Sequence, residues 1–550
     1  MRKKGKRNGV YVKAYTGSNS VLLAMNIDDA MRKGLLGFAI ERVQVATGKR
    51  RWLNGLLNFP HISRPPGVPS PTNIAPIQKF RWADYTIEAG EKYQYIVNPV
   101  YGTAENPKLA PGPTVTVHPA PAAGKHIVHF NRAAAASQAF SRAFKDVDRE
   151  IEQARKEGRL SSYRLPPNAL KWLSDGLLEE ITNFLDRALD ASWGVDIAIY
   201  EYELEEIARA VEAAHQRGAQ VRVLYHARPN DHQTEVNEES LRNLPPETKR
   251  PRVTSSIFHH KFIVLSRIRN GQRDPVAVLA GSTNFTENGV YRQANVVHIV
   301  NRPDTSREFL TLFEHIFNGA STAETRRFIN INDRIDLDTP FFTGFSPRSK
   351  PEDLDAFRTL IGGARRDVLF CTAFNLDDGI EEALIGQPND SILRFGIENQ
   401  RSRITGFHAD RTVNFAAAAW LKDGLEGFLK ESTKGQRGNI LIHTKVIVVD
   451  FTSENPIIIS GSHNFSKAAS RNNDENYLVI RGDTDVADAY GCELLRIYDH
   501  YRFRFKVNQP ARARGFRPFT LDTDDSWTNS YFNPGSLKMV DRERFCEKWV

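Results

Sequence analysis

Two short phrases of this chain set an imidazole and an ammonium at the same spacing. The first, FHHKFIVL, holds His259 and Lys261; the second, IHTKVIVVD, holds His443 and Lys445. Side chains two apart share a face of an extended strand. Each phrase therefore presents histidine beside lysine, with His260 left for the opposite face. An ammonium next to the ring opposes a metal ion and suits a phosphate, so no metal or cofactor is expected. Each phrase is followed by a Gly-Ser-x-Asn-Phe turn, with Gly281, Ser282 and Asn284 in the first copy and Gly461, Ser462 and Asn464 in the second. Fourteen residues after each glycine stands a polar side chain, Asn295 and Glu475 respectively. A lone His-x-Lys is a chance event in a chain with 15 histidines; six matched positions on two matched frames are not.

The surrounding elements explain how such phrases could be positioned. VDIAIYEY reads as a buried strand, ELEEIARAVEAAHQRG as an amphipathic helix stopped by Gly218, and QVRVLYH as a second strand. That order implies a parallel pair joined by a right-handed crossover. The texture returns in RRDVLFCTAF, a helix near Asp378 to Leu384, and SILRFGI, about 180 residues later, too long a period for a solenoid repeat. A duplicated α/β domain is expected. Before it, residues 10–119 carry short alternating runs such as KFRWADYTI and KYQYIVNPVYG, broken by Pro-rich turns, the pattern of an all-β sandwich that loosely resembles fibronectin type III or immunoglobulin-like modules. The expected organisation is a β-sandwich accessory domain over 1–122, a helical connector over 123–172, two α/β halves over 173–345 and 346–508, and a basic, aromatic tail over 509–550.

With 550 residues, 40% hydrophobic and 25% charged, the chain has the profile of a multidomain globular protein. No apolar run is long enough to span a bilayer. The basic start MRKKGKR is not followed by an apolar stretch, so it is no secretory signal; it is expected to be an unstructured solubilising tip. The three cysteines, Cys371, Cys492 and Cys546, are scattered, which fits a reducing compartment and a cytoplasmic location. The net charge of +8 is concentrated in two acid-free segments, the N-terminus and residues 501–520, so the remainder is near neutral. In the second segment Arg502, Arg504, Lys506, Arg512, Arg514 and Arg517 alternate with Tyr501, Phe503, Phe505, Phe516 and Phe519. Cations interleaved with rings suit nucleic acid; the competing reading is a last edge strand with its rings toward the core. Trp527, Tyr531 and Phe532 are expected to dock the tail.

On these residues the chain resembles the phospholipase D superfamily, whose motif is HxKxxxxD followed by GSxN. The second copy matches fully, with His443, Lys445, Asp450, Gly461, Ser462 and Asn464. The first departs at Ser266, where the family has aspartate; that position lies on the other strand face from the histidine, so its role is structural. The resemblance spans roughly residues 175–505 and implies two phospholipase D-like halves packed about a pseudo-twofold axis. It implies metal-independent phosphodiester transfer: one histidine attacks phosphorus, the other protonates the leaving oxygen, and the lysines and asparagines hold non-bridging oxygens. On the expectation that each orienting residue serves the histidine of its own half, Glu475 would favour the imidazolium of His443 as acid, and Asn295 would leave His259 as nucleophile. Ser282, Ser462, Gly281, Gly461 and Asp450 would shape or bind the phosphate site.

The wording GSHNFSKAASRNNDENYLVI is similar to the small bacterial endonucleases of the superfamily. A nuclease acting on DNA or RNA is therefore expected, with the sandwich placing a partner or substrate. The alternatives are a phospholipase D or phosphatidyl transferase acting on phospholipids, and a nucleic-acid-binding protein with a degenerate site.

Overall fold

The computed structural model describes residues 2–64, 68–88, 90–119, 124–254, 256–386, 391–400, 403–408, 411–415, 441–508 and 520–549. Two mixed sheets form the body. In the first, the strand order is His126–Phe130, Val296–Val300, Gln272–Gly281, Lys261–Arg269, Trp193–Ile199, Gln220–Ala227, Lys249–Val253. In the second it is Phe341–Ser346, Glu475–Arg481, Ile457–Gly461, Val446–Val449, Asp367–Ala373, Leu393–Gln400, Arg403–His408, Arg411–Phe415. The expected crossovers are present: Trp193–Ile199 runs parallel to Gln220–Ala227 around helix Glu205–Gln216, and Asp367–Ala373 parallel to Leu393–Gln400 around Asp378–Ile385. The α/β duplication is thus borne out.

Burial on both faces explains the unbroken apolar runs in these strands. In the first sheet Ile197, Ile199, Ile263 and Leu265 pack with Ile181, Phe184 and Val211 of the helices on one side. Ala198, Phe262, Val264 and Val278 pack with Phe309 and Phe313 on the other. The second sheet repeats this, with Phe370, Ile447 and Ile459 against Leu354 and Phe357, and Leu369, Val448 and Ile458 against the long helix Thr484–Asn508.

Residues 2–119 form two facing antiparallel sheets, ordered Lys3–Arg7, Val10–Thr16, Val21–Ile27, Arg81–Asp84 and Pro107–Leu109, Tyr93–Gly102, Gly37–Gln44, Arg50–Trp52. Val12, Leu23, Phe38, Ile40, Tyr95 and Val97 meet in the core between them. Residues expected as an unstructured tip belong to this sandwich. Lys3–Arg7 pairs along Val10–Thr16, and Arg2 reaches Asp488 of the long helix at 2.9 Å. Lysines on an exposed edge strand discourage further pairing, which is why a strand can look like a charged tail.

Three other expectations change. The segment expected to be a helical connector opens with a strand: His126–Phe130 pairs with Val296–Val300 as the first sheet's edge, just as Phe341–Ser346 pairs with Glu475–Arg481 in the second. The run Tyr501 to Asn508 is the end of helix Thr484–Asn508, not an edge strand. Its two-residue alternation follows a helical stripe of buried Ala487, Tyr490, Leu494, Ile497, Tyr498 and Tyr501, and extending a formed helix costs far less than starting one. Finally, the last residues complete the sandwich. Trp527 lies in its core, with its indole N–H donating to Leu35 O at 2.8 Å and its ring 5.4 Å from Phe80.

Candidate active site

The two His-x-Lys phrases meet at the contact between the sheets. Neither histidine lies within its strand; each occupies the stretch just before it, where one sheet touches the other. The backbone makes this contact twice. His259 N donates to Asp474 O at 2.9 Å and Asp474 N to Ile257 O at 3.0 Å; His443 N donates to Ala294 O at 2.9 Å and Ala294 N to Leu441 O at 2.8 Å. The imidazoles consequently face one another, with centroids 6.4 Å apart and planes at 75°. They are 2% and 3% exposed.

This crossing overturns the expected pairing of histidines with orienters. Glu475 serves His259, whose Nδ1 lies 2.7 Å from the carboxylate; Asn295 serves His443, whose Nδ1 lies 3.1 Å from Oδ1 and 3.2 Å from Ser282 O. The reason is topological. Residues 294 and 474 pair by backbone with the opposite half, so the side chain that follows each emerges beside the opposite histidine. A carboxylate and an amide oxygen only accept, so both Nδ1 atoms carry hydrogen and each ring keeps Nε2 for the pocket.

The serines and glycines of the GSxN turns build this arrangement. Ser282 Oγ donates to Asn295 Oδ1 and Ser462 Oγ to Glu475 Oε2, each at 2.8 Å, while each hydroxyl accepts a backbone N–H from Val296 or Asn476. Both hydroxyls are fully buried and committed to these bonds, so they position the orienters. Asn295 Nδ2 donates to Gly289 O at 2.9 Å, which fixes its oxygen toward His443. Gly281 and Gly461 are required by close approach: a Cβ there would stand 2.2 Å from Val296 O or 2.3 Å from Asn476 O.

Lys261 and Lys445 stand beside their histidines. Each Nζ donates to the carbonyl of its own histidine, at 2.9 and 2.5 Å. Each also sits over an aromatic face, Tyr200 at 5.3 Å and Phe374 at 5.6 Å. Burial lowers Lys261 to about 8, against the pull of Glu475 and Glu201. Burial and the two lysines hold His259 well below the usual imidazole range, so it is neutral at neutral pH. Burial raises Glu475, opposed by His463 and Lys261. The amide oxygens of Asn284 and Asn464 have no protein partner among the described residues.

Asp450 turns the chain at φ 53° and accepts the backbone N–H groups of Arg365 and Arg366 at 2.9 and 2.7 Å. Ser266, its counterpart, is buried at a register shift in its strand. His260 faces away, toward Asn476 and Phe345. Arg502 contacts Tyr498 on the long helix, 5.7 Å above its ring; Arg504 and Lys506 lie on the same helix. Arg512, Arg514 and Arg517 lie outside the described residues.

One acidic group escaped the sequence reading. Glu201 touches the Asn284 amide, and burial brings its carboxyl up to about 7. In YEYELEE it is indistinguishable from the acidic first turn of the following helix; only its place two residues past the end of strand Trp193–Ile199 marks it.

A family model described as a cardiolipin synthase, phospholipase D-like domain matches residues 184–317 and 405–498. Among solved structures, the chain is similar to phosphatidylserine synthase from Haemophilus influenzae (14% identity, 60% of this chain, 85% of that one, TM-score 0.39). It is also similar to Nuc, a phospholipase D family member from Salmonella typhimurium (22% identity, 26% and 86%, TM-score 0.21). A third similarity is to polyphosphate kinase from Porphyromonas gingivalis (13% identity, TM-score 0.36), where 55% of this chain spans only 43% of that one. No curated protein matches.

Proposed function

Since its two α/β halves belong to the phospholipase D superfamily, we propose that this phosphodiesterase is a metal-independent nuclease, cutting DNA or RNA through a phosphohistidine on His259. The observation that carries the mechanism is the crossed pair: His259 on Glu475 and His443 on Asn295, with a lysine bonded to the backbone carbonyl of each histidine. His259, neutral and with Nδ1–H held by the carboxylate, attacks phosphorus through Nε2. A P–N bond forms as the P–O bond to the leaving group breaks, and His443 Nε2–H delivers the proton to that oxygen. Water then attacks the phosphohistidine, His443 takes its proton, and the P–N bond breaks. Lys261, Lys445, Asn284 and Asn464 hold the non-bridging oxygens as charge grows on them.

The crossed pairing keeps the roles but reverses their reason. Glu475 stabilises the cation formed when His259 is phosphorylated. His443 Nδ1 rests instead on the neutral oxygens of Asn295 and Ser282, and His443 serves as the proton donor.

The nucleic-acid substrate is supported by the wording around the second GSxN turn, and the cytoplasmic setting by three free, buried cysteines. Among the described residues no helix is long and apolar enough to cross a membrane. The sandwich would place a protein partner or the substrate. The description of the matching family model favours a phospholipid as the second reading. The deciding experiment is cleavage of labelled single- and double-stranded DNA and RNA in excess EDTA, beside His259→Ala. Cleavage by the wild type alone supports the nuclease; no cleavage, with headgroup release from phospholipid vesicles, supports the lipid enzyme.

A further inference from the structure

Besides the orienting pair Glu475 and Asn295, the twofold likeness of the pocket is broken beside the lysines. Ile199 stands opposite Lys261 in the first sheet; extending the second sheet's register from Cys371 and Val446 sets Thr372 opposite Lys445. Two residues on, the first half has Glu201 where the second has Phe374. Glu201 is held in place at both ends. Its carbonyl accepts the N–H of Phe285 at 3.0 Å, and its carboxylate accepts from the Asn284 amide. The charged groups facing it are Lys261 and Lys445, which favour its anion, and Glu203, which opposes it. The two-histidine chemistry does not use this carboxylate, and an anion here repels phosphate.

We propose that Glu201 is a specificity-determining residue: its carboxylate offsets one lysine, so the pocket accepts a singly charged phosphodiester and rejects a doubly charged phosphomonoester. Hydrolysis converts one into the other, because the freed phosphate ionises a second time near pH 6. The same carboxylate therefore expels the phosphate-bearing product that His443 and water release. The inference rests on the phosphodiesterase reading above and adds the charge state that the site selects.

The test uses bis(4-nitrophenyl) phosphate as diester substrate and 4-nitrophenyl phosphate as competing monoester, with wild type and Glu201→Gln at pH 6 and pH 8. The quantity read is the monoester inhibition constant divided by the diester KM. At pH 8, where the wild-type carboxyl is largely ionised, Glu201→Gln should lower this ratio about tenfold or more. At pH 6, where it is largely protonated, the two proteins should agree within about threefold. Lys261 titrates in both proteins, so the comparison is made between proteins at each pH. A packing role for Glu201 predicts no such convergence at low pH. Equal ratios at pH 8 overturn the proposal; Glu201→Ala makes the same comparison if the amide variant does not fold. A wild type that neither cleaves the diester nor binds the monoester overturns the phosphodiesterase reading itself, and the proposal falls with it.

Discussion

Replacing Glu475 with glutamine isolates the consequence of the crossed pairing. The carboxylate accepts from His259 Nδ1 and from Ser462 Oγ through one oxygen, and from Asn473 Nδ2 through the other at 3.2 Å. An amide can keep its oxygen toward His259 and Ser462, and Asn473 can turn over to accept from its nitrogen. Packing therefore survives while the charge is lost. At a separation of about 4 Å and an effective dielectric near 20, a carboxylate and an imidazolium attract by about 4 kcal/mol. A neutral hydrogen bond in its place returns about 1 kcal/mol. The transition state that puts positive charge on His259 thus loses about 2–3 kcal/mol, or about 30- to 150-fold in kcat. The assay compares an ordinary phosphodiester with bis(4-nitrophenyl) phosphate, whose leaving group departs without a proton. The Glu475→Gln loss should persist on both substrates, because the nucleophile is impaired. The His443→Ala loss should largely disappear from the first-turnover burst of 4-nitrophenolate on the activated one, because only the later attack of water still needs His443. If the Glu475→Gln loss also disappears there, or is under about threefold on both, Glu475 does not serve His259 in the reaction.

Three further outcomes are expected. His259→Ala and His443→Ala should each lower turnover of an ordinary diester by about a thousandfold or more with unchanged circular dichroism, and His443→Ala should accumulate a phosphoryl adduct on His259 by mass spectrometry; an adduct on His443 in a His259→Ala protein reverses the roles. Because Lys261 holds phosphate only while charged, and its charge is lost as pH rises through about 8, kcat/KM should fall on that alkaline side; a plateau to pH 9.5 refutes this. Trp527→Ala should cost about 3–5 kcal/mol in denaturant unfolding of the sandwich, since its ring fills that core and its N–H is paired; a loss under about 1 kcal/mol would mean the C-terminal residues merely rest on the surface.

The candidate chemistry and the α/β duplication were legible in the residues themselves. Chemical types at fixed spacing (histidine, lysine, the GSxN turns and the residues after them) are local facts, and so are the strand–helix–strand runs that carry them. The pattern marks Gly281 and Gly461, but the need for glycine there comes from the neighbouring strand's carbonyls at Val296 and Asn476. Tertiary structure alone decided who serves whom. Glu475 reaches His259 because residues 474 and 294 pair with the opposite sheet, a contact between segments more than two hundred residues apart for one pair and nearly one hundred and fifty for the other. Glu201 entered the pocket for a similar reason: its strand ends at the GSTNF turn, and nothing in YEYELEE distinguishes a pocket carboxylate from a helix cap. At the termini, alternation and charge misled because their meaning depends on what lies alongside. Lys3–Arg7 is a strand only because Val10–Thr16 is beside it, and Tyr501 to Asn508 is helical only because a buried stripe precedes it. Side-chain chemistry is written residue by residue, whereas its partners are fixed by which backbones the fold brings into contact.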